Sequence, residues 1–459
     1  MHPTIFVIFG VTGDLAAKKL IPALLSLYAK KLLPQRFAVI GFSRRSFTRE
    51  EFRELIRDRM NVKPGEFKEE DIKHFLDHMS YEQGMFDDRA GYARLAERIA
   101  EVDRRWGQCS NKLFHLSVPP SLYEGILENL EASKLAEPCA DETGWTRVLI
   151  EKPFGRDLAT ARALDKLIGK LFDEKQIFRI DHYLAKEALQ NIIAFRFANQ
   201  LFEPTWDRQS IDKVHVKLLE TSDVTDRGDS YDSVGALKDV GQNHMLMMLA
   251  AVAMNRPDSF SAEDIRAARA KVLGRLRPAF GSAGKGCNTR GQYGGYAAEP
   301  GVAPGSETET YFRLKAFVSS SRWKGVPFYL ESGKALAESK TEIDVYFKGG
   351  KDDDKRNILT FRIQPDEGIK IKFFVKTPGY EFKTEPKTLK FKYSDVPAAE
   401  WHAMPNDYER LIHDAFIGDQ TLFASTEEIM ASWKFIEAVT KSWKKLPLVI
   451  YPKGAREIR

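Results

Sequence analysis

Six apolar or β-branched residues, Thr4 to Phe9, run without a break into Gly10-Val11-Thr12-Gly13-Asp14-Leu15. No other feature constrains the fold as much. A strand apolar on both faces belongs inside a parallel sheet. A glycine turn leading from it into a helix forms a cradle of backbone N–H groups suited to a pyrophosphate. Gly10 and Gly13 would let the backbone approach that anion with no Cβ in the way. The spacing is not G-x-G-x-x-G, so a plain structural βα turn is the competing reading.

The pattern continues as alternating strands and helices. Ile21, Leu24, Leu25 and Tyr28 share one helical face, with Pro22 forcing a kink or restart. Phe37 to Gly41 reads as the second strand, and Thr48-Arg49-Glu50-Glu51 as a capping box. Leu113 to Val118, Val148 to Ile150 and Gln176 to Ile180 read as further strands. Asp157 is placed to cap a helix with Leu158, Ala161, Leu164, Ile168 and Leu171 on its apolar face. Strands separated by helices imply a parallel sheet covered on both sides.

The second strand leads into Ser43-Arg44-Arg45. A NAD-binding domain usually has a carboxylate there for the ribose 2′-hydroxyl. Two guanidinium groups suit a 2′-phosphate instead, which favours NADP, with NAD as the weaker alternative. Two solvated surface arginines are the bland reading.

Beyond Asp181 the pattern changes. Val214 to Glu220, Ile343 to Lys348, Ile358 to Ile363, Ile369 to Lys376 and Leu389 to Tyr393 read as strands. Several alternate apolar with polar residues, as half-exposed antiparallel strands do. Gly281 to Gly305, rich in Gly and Pro, reads as a long ordered loop, and the Lys351–Lys355 charge run as a solvated hairpin tip. A formal charge of +5 on 459 residues is too small to suggest a nucleic-acid partner. No apolar run is long enough for a membrane span, and no leader segment is evident. Cys109, Cys139 and Cys287 show neither CxxC nor metal-ligand spacing, so neither a disulfide framework nor a metal site is expected, and a reducing compartment follows.

Three segments point to a sugar-phosphate site. Glu151-Lys152-Pro153-Phe154-Gly155 follows an apolar strand at the sheet edge where ligands meet a cofactor. Lys152 is placed to hydrogen-bond a sugar hydroxyl beside the nicotinamide, and Pro153 suggests a cis turn. In Asp181-His182-Tyr183-Leu184-Ala185-Lys186-Glu187, a helix from about Tyr183 would bring His182 and Lys186 to one face, ready for a dianionic phosphate. Lys238-Asp239-Val240-Gly241-Gln242-Asn243-His244 leads into a Met- and Leu-rich helix. His244 would need a carboxylate partner to act as a general base, and Asp181 is the candidate. Glu220 ends a strand on the face of Val214, Val216 and Leu218, where it needs a partner: a sugar hydroxyl or an ion pair.

With these segments in place the chain resembles the glucose-6-phosphate dehydrogenase family. The likeness runs in order through GVTGDLAAKKLIPAL, HLSVPPSLY, EKPFG, RIDHYLAKE, FANQLFEPTW, VGALKDVGQNH, RGQYG, SETETYFRLKAFV, RWKGVPFYLESGKAL, RIQPDEGI, YERLIHDAFIGDQTLF and YPKG. The resemblance implies an α/β, Rossmann-type dinucleotide-binding domain over residues 1–180. An α+β domain with a large, mainly antiparallel sheet would follow over 181–459. It implies a cytoplasmic homodimer, joined through that sheet, that catalyses the first step of the oxidative pentose phosphate pathway without a metal. It implies His244 as base and Asp181 as its orienting partner. His182, Tyr183 and Lys186 would hold the phosphate, and Lys152, Glu220, Asp239 and Lys334 the sugar. Gly10, Thr12, Gly13, Asp14, Leu15 and Lys152 would lie along the cofactor, with Arg44 at its 2′-phosphate.

The chain departs from the family pattern in places. Ala185 stands where the family has Gly. Ser339, with Lys340 beside it, stands where the family has a second phosphate cation five residues after Lys334. The chain is also shorter, in the C-terminal loops. Two other readings compete: an oxidoreductase for non-phosphorylated sugars, of the glucose–fructose oxidoreductase type, and a catalytically inactive sugar-phosphate sensor. The His182, Tyr183 and Lys186 set argues against the first, and the intact base, orienting carboxylate and cofactor loop against the second.

Overall fold

The computed structural model describes residues 2–139, 144–225, 227–279, 288–349, 355–397, 404–443 and 446–458. It divides into two compact units. The first comprises residues 1–155, 159–185 and 405–426. The second comprises residues 156–158, 186–404 and 427–459.

The first unit is built on β1 (Thr4–Phe9), β2 (Phe37–Ser43), β3 (Met79–Gln83), β4 (Asn111–Leu116), β5 (Thr146–Ile150) and β6 (Ile177–Ile180). They lie in the order β3-β2-β1-β4-β5-β6, all parallel. Every residue of β1 and β4 is buried, as central strands covered on both faces must be. After the glycine turn the chain is helical from Asp14 to Ala29. Ala16–Leu20 is π-helical and Ile21–Ala29 is α-helical, with Pro22, which has no N–H to give, in the first α turn. Thr48 and Glu51 form the expected capping box on helix Arg49–Arg59. Ala161 and Ile168 are the buried residues of helix Leu158–Ile168.

Two features of this unit differ from the sequence reading. The expected division was one cut near residue 180, yet residues 405–426 return to the first unit. Helix Asp407–Ile417 is capped by Asn406, and Phe423–Ala424 pairs antiparallel with β6. Arg147 of β5 donates to the carbonyls of Ala415 and Phe416 (2.7 and 2.9 Å), which closes the far end of that helix. Second, Cys109 and Cys139 form a disulfide across 30 residues. Their spacing gives no hint of it. Cys109 lies just ahead of β4, and Cys139 follows helix Tyr123–Ala132, which returns from the other end of that strand. Cysteine usage therefore no longer argues for a reducing compartment.

The second unit carries a ten-stranded sheet. Its strands are β7 (Ile211–Leu219), β8 (Leu276–Pro278), β9 (Thr289–Tyr293), β10 (Tyr311–Val318), β11 (Pro327–Gly333), β12 (Lys340–Phe347), β13 (Ile358–Gln364), β14 (Gly368–Lys376) and β15 (Thr384–Lys392), with Leu448–Tyr451 at one edge. The path runs β15-β14-β13-β12-β7-β11-β10-β9 and then Leu448–Tyr451. Among the strand pairs of the described residues, only β7 with β11 and β9 with Leu448–Tyr451 are parallel. On β13, Leu359, Phe361 and Ile363 face the core, where Phe361 meets Phe195 of helix Glu187–Ala198 edge to face. On the other face Lys217 reaches Asp344 (2.8 Å) and Glu342 (3.2 Å). The segment read as one loop from Gly281 to Gly305 contains β9, and residues 280–287 lie outside the described residues. The expected hairpin tip joins antiparallel β12 and β13, but residues 351–354 of it also lie outside the described residues. No helix among the described residues is long and apolar enough to cross a membrane.

Candidate active site

In the first unit the carboxyl ends of the parallel strands gather the predicted residues at one edge. Gly10 follows β1, Arg44 follows β2, Lys152 follows β5 by one residue, and Asp181, His182 and Tyr183 follow β6. That edge is where open α/β sheets bind ligands.

The glycine turn closes with Gly13 N–H donating to the Gly10 carbonyl (2.9 Å), and Ala17 N–H donates to the Gly13 carbonyl (3.1 Å). The glycines differ in their reason. Gly10 has φ +78°, and a Cβ there would lie 2.4 Å from the Ser117 carbonyl oxygen, so packing beside β4 by itself already requires glycine there. At Gly13 a Cβ would meet only the Gly10 carbonyl, at 3.1 Å, so packing constrains that position less. Thr12 Oγ1 lies 3.0 Å from Ser43 Oγ, which ties the turn to the end of β2 beside exposed Arg44 and Arg45. Asp14 is exposed and pairs with Lys18 and Arg59 (2.9 Å each); the Lys18 hydrogen bond is the main reason its carboxyl is held below the usual range. Arg59 also donates to the Thr12 carbonyl (2.5 Å). Arg59 is a clamp on the turn that no spacing rule announces. Leu15 is half-buried as the helix begins. These residues fit a dinucleotide: a helix N-terminus and Gly13 for a pyrophosphate, and cations at the end of β2.

The Lys152–Pro153 peptide is cis. Asp181 is 2% exposed, and its Oδ1 accepts the Tyr183 N–H (3.1 Å). Leu184 N–H donates to the Asp181 carbonyl and Ala185 N–H to that of His182. These turn bonds overturn the expected helix from Tyr183. The helix starts at Glu187, with Lys186 as its N-cap in extended conformation. His182 and Lys186 therefore do not share a helix face. The His182 and Tyr183 rings lie side by side, 5.2 Å apart and tilted by 52°.

In the second unit, Asp239 and His244 lie on a π-helical stretch, Leu237–Met245. The i→i+5 bonding of a π-helix sets them about one turn apart, an arrangement common at functional sites. His244 is 2% exposed and Lys334 5%. Lys334 Nζ donates to Glu220, so the strand-end carboxylate has a cation as its partner. Asp239 is paired with Arg227 (2.7 Å). Burial opposes the Arg227 charge, but Asp239 outweighs it, with smaller help from Tyr231 and Glu220, so the guanidinium is held above its usual range and links Asp239 to the Glu220–Lys334 pair. Arg227 lies outside every segment the sequence singled out. Ser339 Oγ accepts the Thr221 N–H (2.9 Å), and Lys340 pairs with Glu338 (2.5 Å) and Glu342 (3.5 Å). Lys340 is thus committed to carboxylates. Glu309 was not anticipated either. It accepts the Leu237 N–H (3.1 Å) at the start of the π-helical stretch, and burial raises its carboxyl to about 7.

The comparisons agree over the whole chain. A family model described as glucose-6-phosphate dehydrogenase, NAD binding domain, matches residues 7–191, and one described as its C-terminal domain matches residues 193–458. The glucose-6-phosphate 1-dehydrogenase of Chlamydia pneumoniae is 39% identical over 96% of this chain and 90% of its own length. That of Aggregatibacter actinomycetemcomitans is 41% identical over 94% of this chain and 89% of its own. A solved structure of glucose-6-phosphate dehydrogenase in complex with glucose-6-phosphate superposes with a TM-score of 0.91 at 33% identity, covering 100% of this chain and 96% of the other.

Proposed function

Because this chain belongs to the glucose-6-phosphate dehydrogenase family, we propose that it oxidises D-glucose 6-phosphate at C1 with NADP as the preferred acceptor, NAD serving more weakly. The product is 6-phospho-D-glucono-1,5-lactone, the first step of the oxidative pentose phosphate pathway. The observation that carries the cofactor choice is Arg44, exposed where β2 ends, in a segment with no carboxylate to hold a ribose 2′-hydroxyl.

In this reading His244 removes the C1 hydroxyl proton through an imidazole nitrogen, and Asp181 fixes the ring and stabilises its charged form. A nicotinamide bound along the glycine turn would supply the acceptor for the C1 hydride. His182, Tyr183 and Lys186 hold the 6-phosphate. Lys152, Glu220, Asp239 and Lys334 orient the sugar, with Glu220 and Lys334 supplying an acceptor and a donor already matched in charge. Gly10, Thr12, Gly13, Asp14, Leu15 and Lys152 line the dinucleotide. Residues 1–180 form the cofactor part and residues 181–459 the substrate and dimer part, with segment 405–426 assigned to the first. The proposal includes a homodimer joined through the ten-stranded sheet, a cytoplasmic setting based on the intracellular nature of both substrates, and no nucleic-acid, membrane or metal partner.

The test is nicotinamide reduction with glucose 6-phosphate, galactose 6-phosphate and free glucose, using NADP and NAD in turn. Fast reduction of NADP with glucose 6-phosphate is expected. Equal rates with NADP and NAD would reject the cofactor assignment, and equal rates with free glucose would reject the phosphate site.

A further inference from the structure

Glu151, the residue before Lys152, is hydrogen-bonded by two tyrosines and has a histidine ring beside its carboxylate. Tyr408 Oη donates to Glu151 Oε1 (3.2 Å). His115 Nε2 lies 3.4 Å from the same oxygen. Tyr123 Oη donates to the Glu151 carbonyl (3.1 Å). Each group comes from a different element: His115 from the next-to-last residue of β4, Tyr123 from the first residue of helix Tyr123–Ala132, and Tyr408 from helix Asp407–Ile417. His115 is fully buried and packs edge to face on Phe6. Glu151 is largely buried, with its side chain 12% exposed.

A buried carboxylate needs partners, and an isolated lysine or arginine would serve. Here the carboxylate accepts the Tyr408 hydroxyl with the His115 ring beside it, and the Tyr123 hydroxyl extends the grip to the backbone. One consequence is geometric: with both ends of Glu151 fixed, the origin of the Lys152 side chain is fixed too. We propose that Tyr408 is a positioning residue for catalysis, which sets Lys152 through its hydrogen bond to the Glu151 carboxylate. The inference rests on the reading of Lys152 as a substrate- and cofactor-binding residue. A long ammonium side chain aims well only if its backbone does not drift, and drift of about an ångström at a reacting centre is costly. Burial and the Glu151 charge both push the Tyr408 hydroxyl up, so it remains a donor throughout the working range.

The test is a double-mutant cycle of Tyr408→Phe, which removes only the hydroxyl, and Lys152→Ala, with kcat, KM and thermal stability measured for each. Tyr408→Phe should lower kcat/KM for glucose 6-phosphate about tenfold, the effect of one hydrogen bond to a charged group. In the Lys152→Ala background the same change should alter kcat/KM by less than about twofold, because the group it positions is gone. Glu151→Gln, which keeps an acceptor for the hydroxyl, should retain more activity than Glu151→Ala. An equal loss in both backgrounds would overturn the inference, since Tyr408 would then act on general structure only. Activity of Tyr408→Phe within twofold of the parent would overturn it as well. Full activity in Lys152→Ala alone would overturn the assignment of Lys152 and the inference with it.

Discussion

Lys334 and Glu220 are 114 residues apart in sequence, yet the lysine ammonium is hydrogen-bonded directly to the glutamate carboxylate. Tight β7–β11 pairing makes this possible. Gly333 lies opposite Leu219, and Glu220 N–H donates to the Gly333 carbonyl (2.9 Å). Lys334 is 5% exposed, so the pair is a matched charge at the edge of the core. Glu220→Ala would leave that ammonium without its carboxylate. A loss of about 1–3 kcal/mol in stability is expected, together with a higher KM for glucose 6-phosphate. Urea denaturation of the variant, read beside its steady-state kinetics, checks both. An unchanged midpoint would show that the pair adds nothing to the fold.

His244→Asn keeps the size and polarity of the side chain but removes the base. A fall in kcat of about 10²–10⁴ is expected, with little change in the affinity for glucose 6-phosphate. Equilibrium binding measured beside turnover separates the two quantities. Activity within a few-fold of the parent would remove His244 from the mechanism.

Arg44→Ala should weaken NADP by about ten- to a hundredfold and NAD by much less, because only NADP carries the 2′-phosphate that the guanidinium would meet. Dissociation constants for the two nucleotides, compared in parent and variant, measure the difference. Equal weakening would assign Arg44 to the shared part of the dinucleotide or to the fold.

Stability should fall as pH rises through neutrality, and Glu309 is the reason. Its carboxyl is raised from 4.5 to about 7, chiefly by burial. A raised carboxyl favours the fold while it is protonated. That contribution is complete below about 4.5 and is lost as pH climbs through 7, an effect on the order of 3 kcal/mol. Glu309→Gln should flatten the decline, visible in denaturation midpoints at pH 5 and pH 8. Parallel curves for parent and variant would place the pH dependence elsewhere. Gly235 bears on the same site: with φ +71°, it would place a Cβ 2.5 Å from Glu309 Oε1, so any larger residue there would displace the carboxylate.

Much of the first unit is legible because its signals are local. β1 is a continuous apolar run, Thr48 and Glu51 are three residues apart, and Pro22 marks the point where the π-helical stretch gives way to α-helix. The residues placed at the strand ends follow from the same pattern. What escaped depends on distance in the fold. β10 alternates cleanly, with Phe312, Leu314, Ala316 and Val318 buried, but the sequence alone did not mark it as a strand. Its place between β9 and β11 is a matter of register that no local window holds. The π-helical turn under Asp239 and His244 leaves no separate mark in a pattern of helical period. Arg59 and Arg227 have nothing to distinguish them from solvated arginines until Asp14 and Asp239 are found beside them. The turn at Asp181 defeated a helical reading because its polar side chain bonds the backbone two residues on, which competes with helix formation.

The return of residues 405–426 to the first unit sets an order on synthesis. When a ribosome has released only residues 1–185, β6 is an open edge and nothing yet occupies the place of Tyr408 beside Glu151. Both are completed only after more than two hundred further residues have been translated. A nascent chain therefore carries an unpaired strand edge, the kind that invites mispairing, through most of its elongation. The nucleotide-binding unit is among the last parts of the protein to be finished, although it is the first to be made.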